Sequence, residues 1–362
     1  MEGAASLRRG LLRGLPLFGA LAAALCVGAA IALALGVAPA TIGRRLADGI
    51  LLSPYGWGQV LYKATSLTCT GLAVAVAFRA GLFNIGGEGQ AVVGALACAL
   101  VALAASGLPP LLLLPLALAG AFAGGALWGW IPGWLKARWG THEVINTIML
   151  NFIALALSNL MITRYLGLPE TVRTAEIGAG AVLPRLGDIW PALRGSAVNL
   201  GLLVALGAAA ALHLFLEHTP AGLRLRAVGA GRRQAELLGI RPGRQIQIAF
   251  LLGGGLAGLV GANVVLGYKH YYEDGFSGGI GFLGIAVALL ARNAPLAVFP
   301  AALLFGFLSQ AGFVVNTLLP RELIEILTGV ILLTFVAGEH ARTRWRRRLG
   351  GRRAVRGGGG AA

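Results

Sequence analysis

TPAGLRLRAVGAGRRQAELLGIRPGR, Thr219 to Arg244, is the longest polar stretch away from the termini of this chain, and it separates two apolar runs. Those runs, Asn199–Leu216 and Ile246–Tyr268, are each about 20 residues, long enough to cross the hydrocarbon core of a bilayer. The stretch between them carries six Arg against one Glu, and a basic loop between two spans marks the cytoplasmic side. Inside it, Gly229-Ala230-Gly231 and Gly239 bracket Arg232–Leu238, which is built from good helix formers. Ala235 and Leu238, three apart, share one face, leaving Arg232, Arg233 and Glu236 toward water. A short amphipathic helix held between glycines suits the groove of another protein. The same residues also suit an ordinary positive-inside loop, and composition does not choose between the two.

The rest of the chain repeats the pattern. Its 362 residues are 57% hydrophobic and 12% charged, with mean hydropathy +0.78, whereas soluble domains carry about 25% charged residues. The expectation is an all-α, polytopic transmembrane bundle. A formal charge of +16 would suggest nucleic acid in a soluble protein. Here the cations concentrate between spans, so nucleic acid is excluded as a partner and the lipid bilayer takes its place. Cys26, Cys69 and Cys98 each lie in an apolar run and fit neither a zinc spacing nor a disulfide framework. No cofactor or metal is expected.

Read in order, residues 1–14 form a basic cytoplasmic N-terminus and Leu15–Val37 an uncleaved first span, too long for a signal h-region. Pro39–Trp57 reads as a short outside loop. Spans follow at about Gln59–Phe78, Ala91–Ala105, Leu111–Leu135 and from Thr141 past Asn151, then a long outside segment, Thr163–Val198. Asn199–Leu216, Ile246–Tyr268, a short run to Leu290, Leu296–Val315 and Leu323–Val336 complete about ten spans. The eight Arg between Arg342 and Arg356 make a basic tail, residues 339–362, lying against anionic headgroups. An even number of spans places both termini and the 217–244 loop in the cytoplasm, with the spans forming one transmembrane domain over 15–338.

Polar residues inside spans are costly unless partnered, so they mark protein-facing or water-facing surfaces. Gly81–Gln90, with Asn84, Glu88 and Gln90 among four glycines, is a poor uninterrupted helix. It reads equally as a capped turn or as part of a pathway. Thr147, Asn151 and Ser158 fall near one face of the fifth span with Asn146 beside it, and Asn263 and Gln310 lie in later spans. Four hydroxyls, Thr65, Ser66, Thr68 and Thr70, crowd the second span, where helix-to-helix bonding is the commoner use. A second glycine-rich break, Gly275–Gly284, stands in the other half of the chain. Paired interrupted segments point to the central site of a transporter, and they suggest a two-half pseudo-repeat.

GLFNIGGEGQ (Gly81–Gln90), EVINTIMLN (Glu143–Asn151), Thr219–Ile240 and GIAVALLARNAPLAVFPAALLF (Gly284–Phe305) resemble permease subunits of bacterial ABC importers. Within the branched-chain amino acid, ribose and nucleoside permease family, GLFNIGGEGQ is similar to the nucleoside-type members, and the resemblance runs from the second span to the last. It implies a multi-pass subunit of the bacterial cell membrane that is not itself an enzyme. The implied partners are two ATP-binding cassette ATPase subunits, a second, different permease subunit, and an extracytoplasmic substrate-binding protein or lipoprotein. The family's short cytoplasmic helix, which fits a cleft on the ATPase, maps onto Gly222, Arg226, Gly229, Arg232, Ala235, Glu236 and Gly239. The chain reads VGAGRRQA where the family usually reads VGANPRAA, so details of ATPase pairing are open.

A nucleoside is neutral, and its path needs amides and hydroxyls rather than paired charges. Asn84, Glu88, Asn146, Thr147, Asn151, Asn263 and Gln310 are the candidates for lining it. The alternatives are an ABC permease for simple sugars such as ribose, or a secondary carrier working without ATPases. A carrier coupled to ions needs an intramembrane acid, and only Glu88 and Glu325 qualify. No nucleophile–base arrangement, metal-ligand cluster or Walker lysine supports an enzyme.

Overall fold

Within lipid, backbone N–H groups must find acceptors inside the protein, and helices provide them throughout the regular structure of the described residues. The computed structural model describes residues 25–320 together with 19, 22, 23, 323, 326–331, 333–335, 337 and 338. The N-terminal segment 1–14, the tail 339–362 and Glu325 lie outside the described residues. Two units are distinguishable, Ile50–Gln310 and the pair Met1–Gly49 with Ala311–Ala362. Among the described residues, β pairing is confined to isolated bridges such as Gly167 with Thr174 and Arg173 with Glu273.

In the shorter unit α1 covers Leu25–Ala34 and α2 covers Pro39–Leu46. Pro39 presets the first helical φ, and Arg44 and Arg45 sit in the last turn, at the negative end of the dipole. A π-helical turn, Ala47–Leu51, follows. The expected loop over Pro39–Trp57 is therefore mostly helical, because a proline at the first turn starts a helix as readily as it ends one.

The larger unit contains α3 (Pro54–Arg79), α4 (Gly87–Ala104), α5 (Pro110–Trp139) and α6 (Glu143–Met161). After a long connection come α7 (Leu186–Ile189), α8 (Gly201–His218), α9 (Pro220–Ala230), α10 (Arg232–Leu237) and α11 (Pro242–Gly258). A π-helical stretch, Ala262–Lys269, extends α11, and α12 (Ile280–Leu290) and α13 (Pro295–Val315) follow. Among the described residues seven helices are long and apolar enough to cross a membrane, and Leu25–Ala34, Ile280–Leu290 and Ile326–Phe335 (α14) are shorter apolar helices. These ten fall on the ten expected segments.

α3 and α11 are enclosed over most of their length, whereas α5, α6 and α8 bury one stripe each. Their outer faces carry Leu116, Leu127, Met149, Phe152, Leu203 and Leu214, as lipid contact requires. Trp130 and Trp134 stack at 5.9 Å and Trp139 meets Trp134 edge-on, an aromatic belt beside Lys136 and Arg138. Lipid supplies no hydrophobic force between helices, so close packing of small residues must hold them. α5 and α11 meet backbone to backbone through Gly125, Gly129, Gly254 and Gly258. A Cβ on Gly254 would collide with the Gly125 carbonyl, and one on Gly258 with the Ala121 carbonyl.

Two of the four clustered α3 hydroxyls prove to be internal ties. Thr65 and Thr68 donate to the carbonyls of Leu61 (2.8 Å) and Ala64 (2.7 Å) one turn back. Ser66 and Thr70 reach neighbouring segments, and Thr70 also lies 3.4 Å from the Ser66 and Leu67 carbonyls of its own helix. At the opposite end from the arginine-rich loop, the 163–198 connection is stitched to 266–274. Thr174 N–H donates to the Tyr272 carbonyl (2.9 Å) and Ile177 N–H to that of His270 (2.8 Å). Asp274 accepts from Ser158 Oγ (3.1 Å) and Asn159 Nδ2 (2.8 Å), while the Tyr272 hydroxyl lies 2.6 Å from Ser158 Oγ.

Candidate functional site

The two glycine-rich breaks meet. α12 has 11 residues, about 16 Å of helix, so it covers roughly half of a hydrocarbon core. Its N-terminus abuts that of α4: a Cβ on Gly281 would collide with the backbone of Glu88. Gly279 N–H donates to Glu88 Oε1 (2.9 Å) and Gly281 N–H to Glu88 Oε2 (2.7 Å). The first N–H groups of a helix have no partner of their own and form an anion site. Glu88, only 3% exposed, fills that site on α12 while lying in the first turn of α4. Its carboxyl group thus stands at the N-termini of two helices at once.

α4 is capped in the same manner by a different helix. Gly89 N–H donates to Asn151 Oδ1 (2.9 Å), and Asn151 Nδ2 donates to the Ile85 carbonyl (2.9 Å). Asn84 and Gln90 form a reciprocal amide pair, Nδ2 to Oε1 at 3.0 Å and Nε2 to Oδ1 at 3.2 Å, and Gly86 N–H also donates to Asn84 Oδ1. Thr147 stands beside Gly86 with its hydroxyl bonded back to the Glu143 carbonyl (2.8 Å). Thr70 of α3 closes the ring, donating to the Ile280 carbonyl at 3.1 Å. Asn84, Glu88, Gln90, Thr147 and Asn151 are all buried.

Asn263 belongs to a second network, one turn along α3. Its Nδ2 donates to Ser66 Oγ (2.8 Å) and the Tyr62 carbonyl (2.9 Å), and its Oδ1 accepts from Asn199 Nδ2 (3.1 Å). Asn146 is half-buried and turned toward Thr141. Gln310 is buried in α13. Among the described residues, no His, Cys, Asp or Glu side chains gather in threes as a metal ion would need.

In the arginine-rich loop, Thr219 Oγ1 caps α9 by accepting from Gly222 N–H at 3.0 Å. Gly222 lies against the backbone of Phe215 and Leu216, and Gly229 against that of Arg79 and Ala80. Arg226 Nη1 donates to Glu217 Oε2 at 2.7 Å. α10 ends in a Schellman motif: Ile240 N–H donates to the Ala235 carbonyl (3.0 Å) and Gly239 N–H to that of Glu236 (2.9 Å), with Gly239 at φ +74°. Ala235 alone of α10 is buried; Arg232, Arg233 and Glu236 are exposed, as expected. Leu238 departs from expectation, standing exposed beside Leu237. It is the C-cap rather than a helical residue, so the i, i+3 relation to Ala235 no longer holds.

Comparison with known proteins supplies what geometry alone does not. The family described as "Branched-chain amino acid transport system / permease component" matches residues 56–336. The guanosine ABC transporter permease protein NupP of Bacillus subtilis (strain 168) is 40% identical, over 88% of this chain and 91% of its own length. The nucleoside ABC transporter permease protein NupB of Lactococcus lactis subsp. cremoris is 36% identical, over 86% and 87%. The glucose ABC transporter permease protein TsgB13 of Haloferax volcanii is 34% identical, over 88% and 85%. The chain belongs to this permease family.

Of the residues singled out in the permease sequence, the fold gathers Asn84, Glu88, Thr147 and Asn151 at the α4–α12 junction and leaves Asn146, Asn263 and Gln310 elsewhere. Gln90 and Asn199 share in these networks, and each signals itself only as an amide at the start of an apolar run. Asn151→Leu is expected to orphan Gly89 N–H and the Ile85 carbonyl. Each buried unsatisfied group costs about 1–3 kcal/mol, so thermal unfolding of the solubilised permease should move down by several degrees. Unchanged unfolding would remove Asn151 as the cap of α4.

Proposed function

We propose that this permease is the membrane subunit of an ATP-driven importer of nucleosides in the bacterial cell membrane. The observation that carries the reading is identity of 40% to a guanosine permease across almost the full length of both chains. The chemistry of the junction agrees with it, since buried amides and hydroxyls suit a neutral polar solute better than an ion. The path opens where α4 and α12 meet, with Asn84, Glu88, Thr147 and Asn151 around it and Asn146, Asn263 and Gln310 further along. Alternating access comes from rocking one set of helices against the other. The energy comes from two separate ATPase subunits acting on residues 219–244, opposite a second, different permease subunit, and substrate arrives on an extracytoplasmic binding protein.

A sugar substrate is the second reading, favoured by the 34% identity to a glucose permease. An ion-coupled carrier has less support, because both oxygens of Glu88 are engaged by backbone N–H groups. The deciding experiment is to purify the tagged chain in mild detergent, identify co-purifying subunits, and measure uptake of labelled guanosine against glucose and ribose in cells lacking other uptake systems. Sugar uptake without guanosine uptake would sink the nucleoside assignment. An active chain with no ATPase attached would sink the ATP-driven one.

Exposure of Leu237 (84%) and Leu238 (76%) on a loop rich in arginine supports α10 as the surface that enters the ATPase cleft. The double change Leu237→Ser with Leu238→Ser is expected to weaken ATPase retention roughly tenfold or more, since burying a leucine side chain at a contact is worth about 1.5–3 kcal/mol. Retention equal to the parent after an identical detergent wash would exclude α10 from the interface.

A further inference from the structure

We propose that Glu217 and Arg79 are positioning residues of the transport cycle, relaying displacement of α9 to the half-helix α12. The proposal rests on the permease reading above and adds the route by which the loop reaches the junction. Arg79, the last residue of α3, has two partners outside its own helix. Its Nε donates to the Asn293 carbonyl at 2.9 Å, and its Nη1 to Glu217 Oε1 at 3.4 Å. The second oxygen of Glu217 accepts from Arg226 of α9 at 2.7 Å. One chain of polar contacts therefore runs from α9 through the end of α8 and the end of α3 to the turn after α12.

Two further features make this chain a mechanical connection. Gly229 of α9 lies directly on the backbone of Arg79 and Ala80, with no room for a Cβ, so α9 cannot advance without moving the end of α3. The turn that Arg79 grips holds Arg292 and Asn293 at φ +52° and +56°. Non-glycine residues rarely adopt that conformation, and it persists only where neighbours enforce it. α12 is thus held at both ends, by Glu88 at its N-terminus and through Asn293 by Arg79 just past its C-terminus. A short rigid helix gripped at both ends transmits a push from one to the other.

The side chains of Arg79, Glu217 and Arg226 are each 29% exposed. These pairs are half-buried and only partly screened, so assembly of each variant is measured separately from coupling. The test reconstitutes the whole transporter, with its ATPases and binding protein, in vesicles and measures guanosine imported per ATP hydrolysed. Glu217→Gln cuts both ion pairs. Arg79→Lys keeps the charge but has a single nitrogen, which cannot hold the Asn293 carbonyl and Glu217 in the same fork geometry.

Both variants are expected to assemble and to lose roughly tenfold in guanosine per ATP, within the range of coupling between distant sites. An assembled variant of either kind that keeps the parent ratio overturns the relay. So does loss of assembly in both, which would assign these charges to folding. A parent chain that binds no ATPase would instead defeat the permease reading itself, an outcome visible before any variant is made.

Discussion

Glu88→Ala is expected to abolish nucleoside uptake while leaving a chain that still inserts in the membrane. The carboxylate is the acceptor for Gly279 and Gly281 N–H at 2.9 and 2.7 Å. Those donors stand at the start of α12, against the buried first turn of α4. Two orphaned donors cost about 2–6 kcal/mol at 1–3 kcal/mol each, more where the acceptor is charged. α12 then loses its register against α4. Glu88→Gln is the sharper variant, because it preserves shape and one acceptor but turns an NH2 group toward a backbone N–H. Uptake should fall by at least about 100-fold in the alanine variant, the equivalent of roughly 2.7 kcal/mol, and somewhat less in the glutamine variant. Measured nucleoside uptake within threefold of the parent in both variants would show that the junction does not depend on this carboxylate.

The place of Glu88 in the fold is only half legible in the sequence. An acid at the start of an apolar run reads correctly as the first turn of a helix, and Gly81–Gln90 reads correctly as a break. Its partners lie 191 and 193 residues further on, and nothing local announces them. The apolar segments themselves are legible because length and composition alone decide whether a helix can cross a bilayer, and each of the ten meets a helix, though the first, expected over Leu15–Val37, is described as a helix over Leu25–Ala34. Amides are harder. Asn151 and Asn263 look alike as polar residues in apolar spans, yet one caps α4 and the other ties α3 to the Asn199 turn. Which donor each one satisfies is a property of the packed bundle. Leu238 shows the complementary limit, since helical periodicity places a side chain only while the helix continues, and Gly239 ends it.

Gly254→Leu is expected to be the most destructive single change in the larger unit, and Gly125→Leu its counterpart across the interface. The glycine spacing in α5 predicts a packing helix, and the structure supplies the partner in α11. At their crossing the Gly254 and Gly125 backbones meet with no side chain between them, so the added atoms would strike main chain, which cannot rotate away. Overpacking a core costs about 1–3 kcal/mol when side chains can yield; here the helices themselves must separate, and the dispersion contacts along their length are lost together. Gly207→Leu is the control. It too replaces a glycine within a helix, α8, but a Cβ there meets nothing within 4 Å. Fluorescence-detected gel filtration of tagged chains should show the Gly254 and Gly125 variants largely aggregated or degraded, and the Gly207 variant at the parent yield. If Gly254→Leu ran as a monodisperse species with parent thermal stability, the glycine contact could not be what holds α5 to α11. Loss of the Gly207 control would instead trace the damage to leucine in any of these helices.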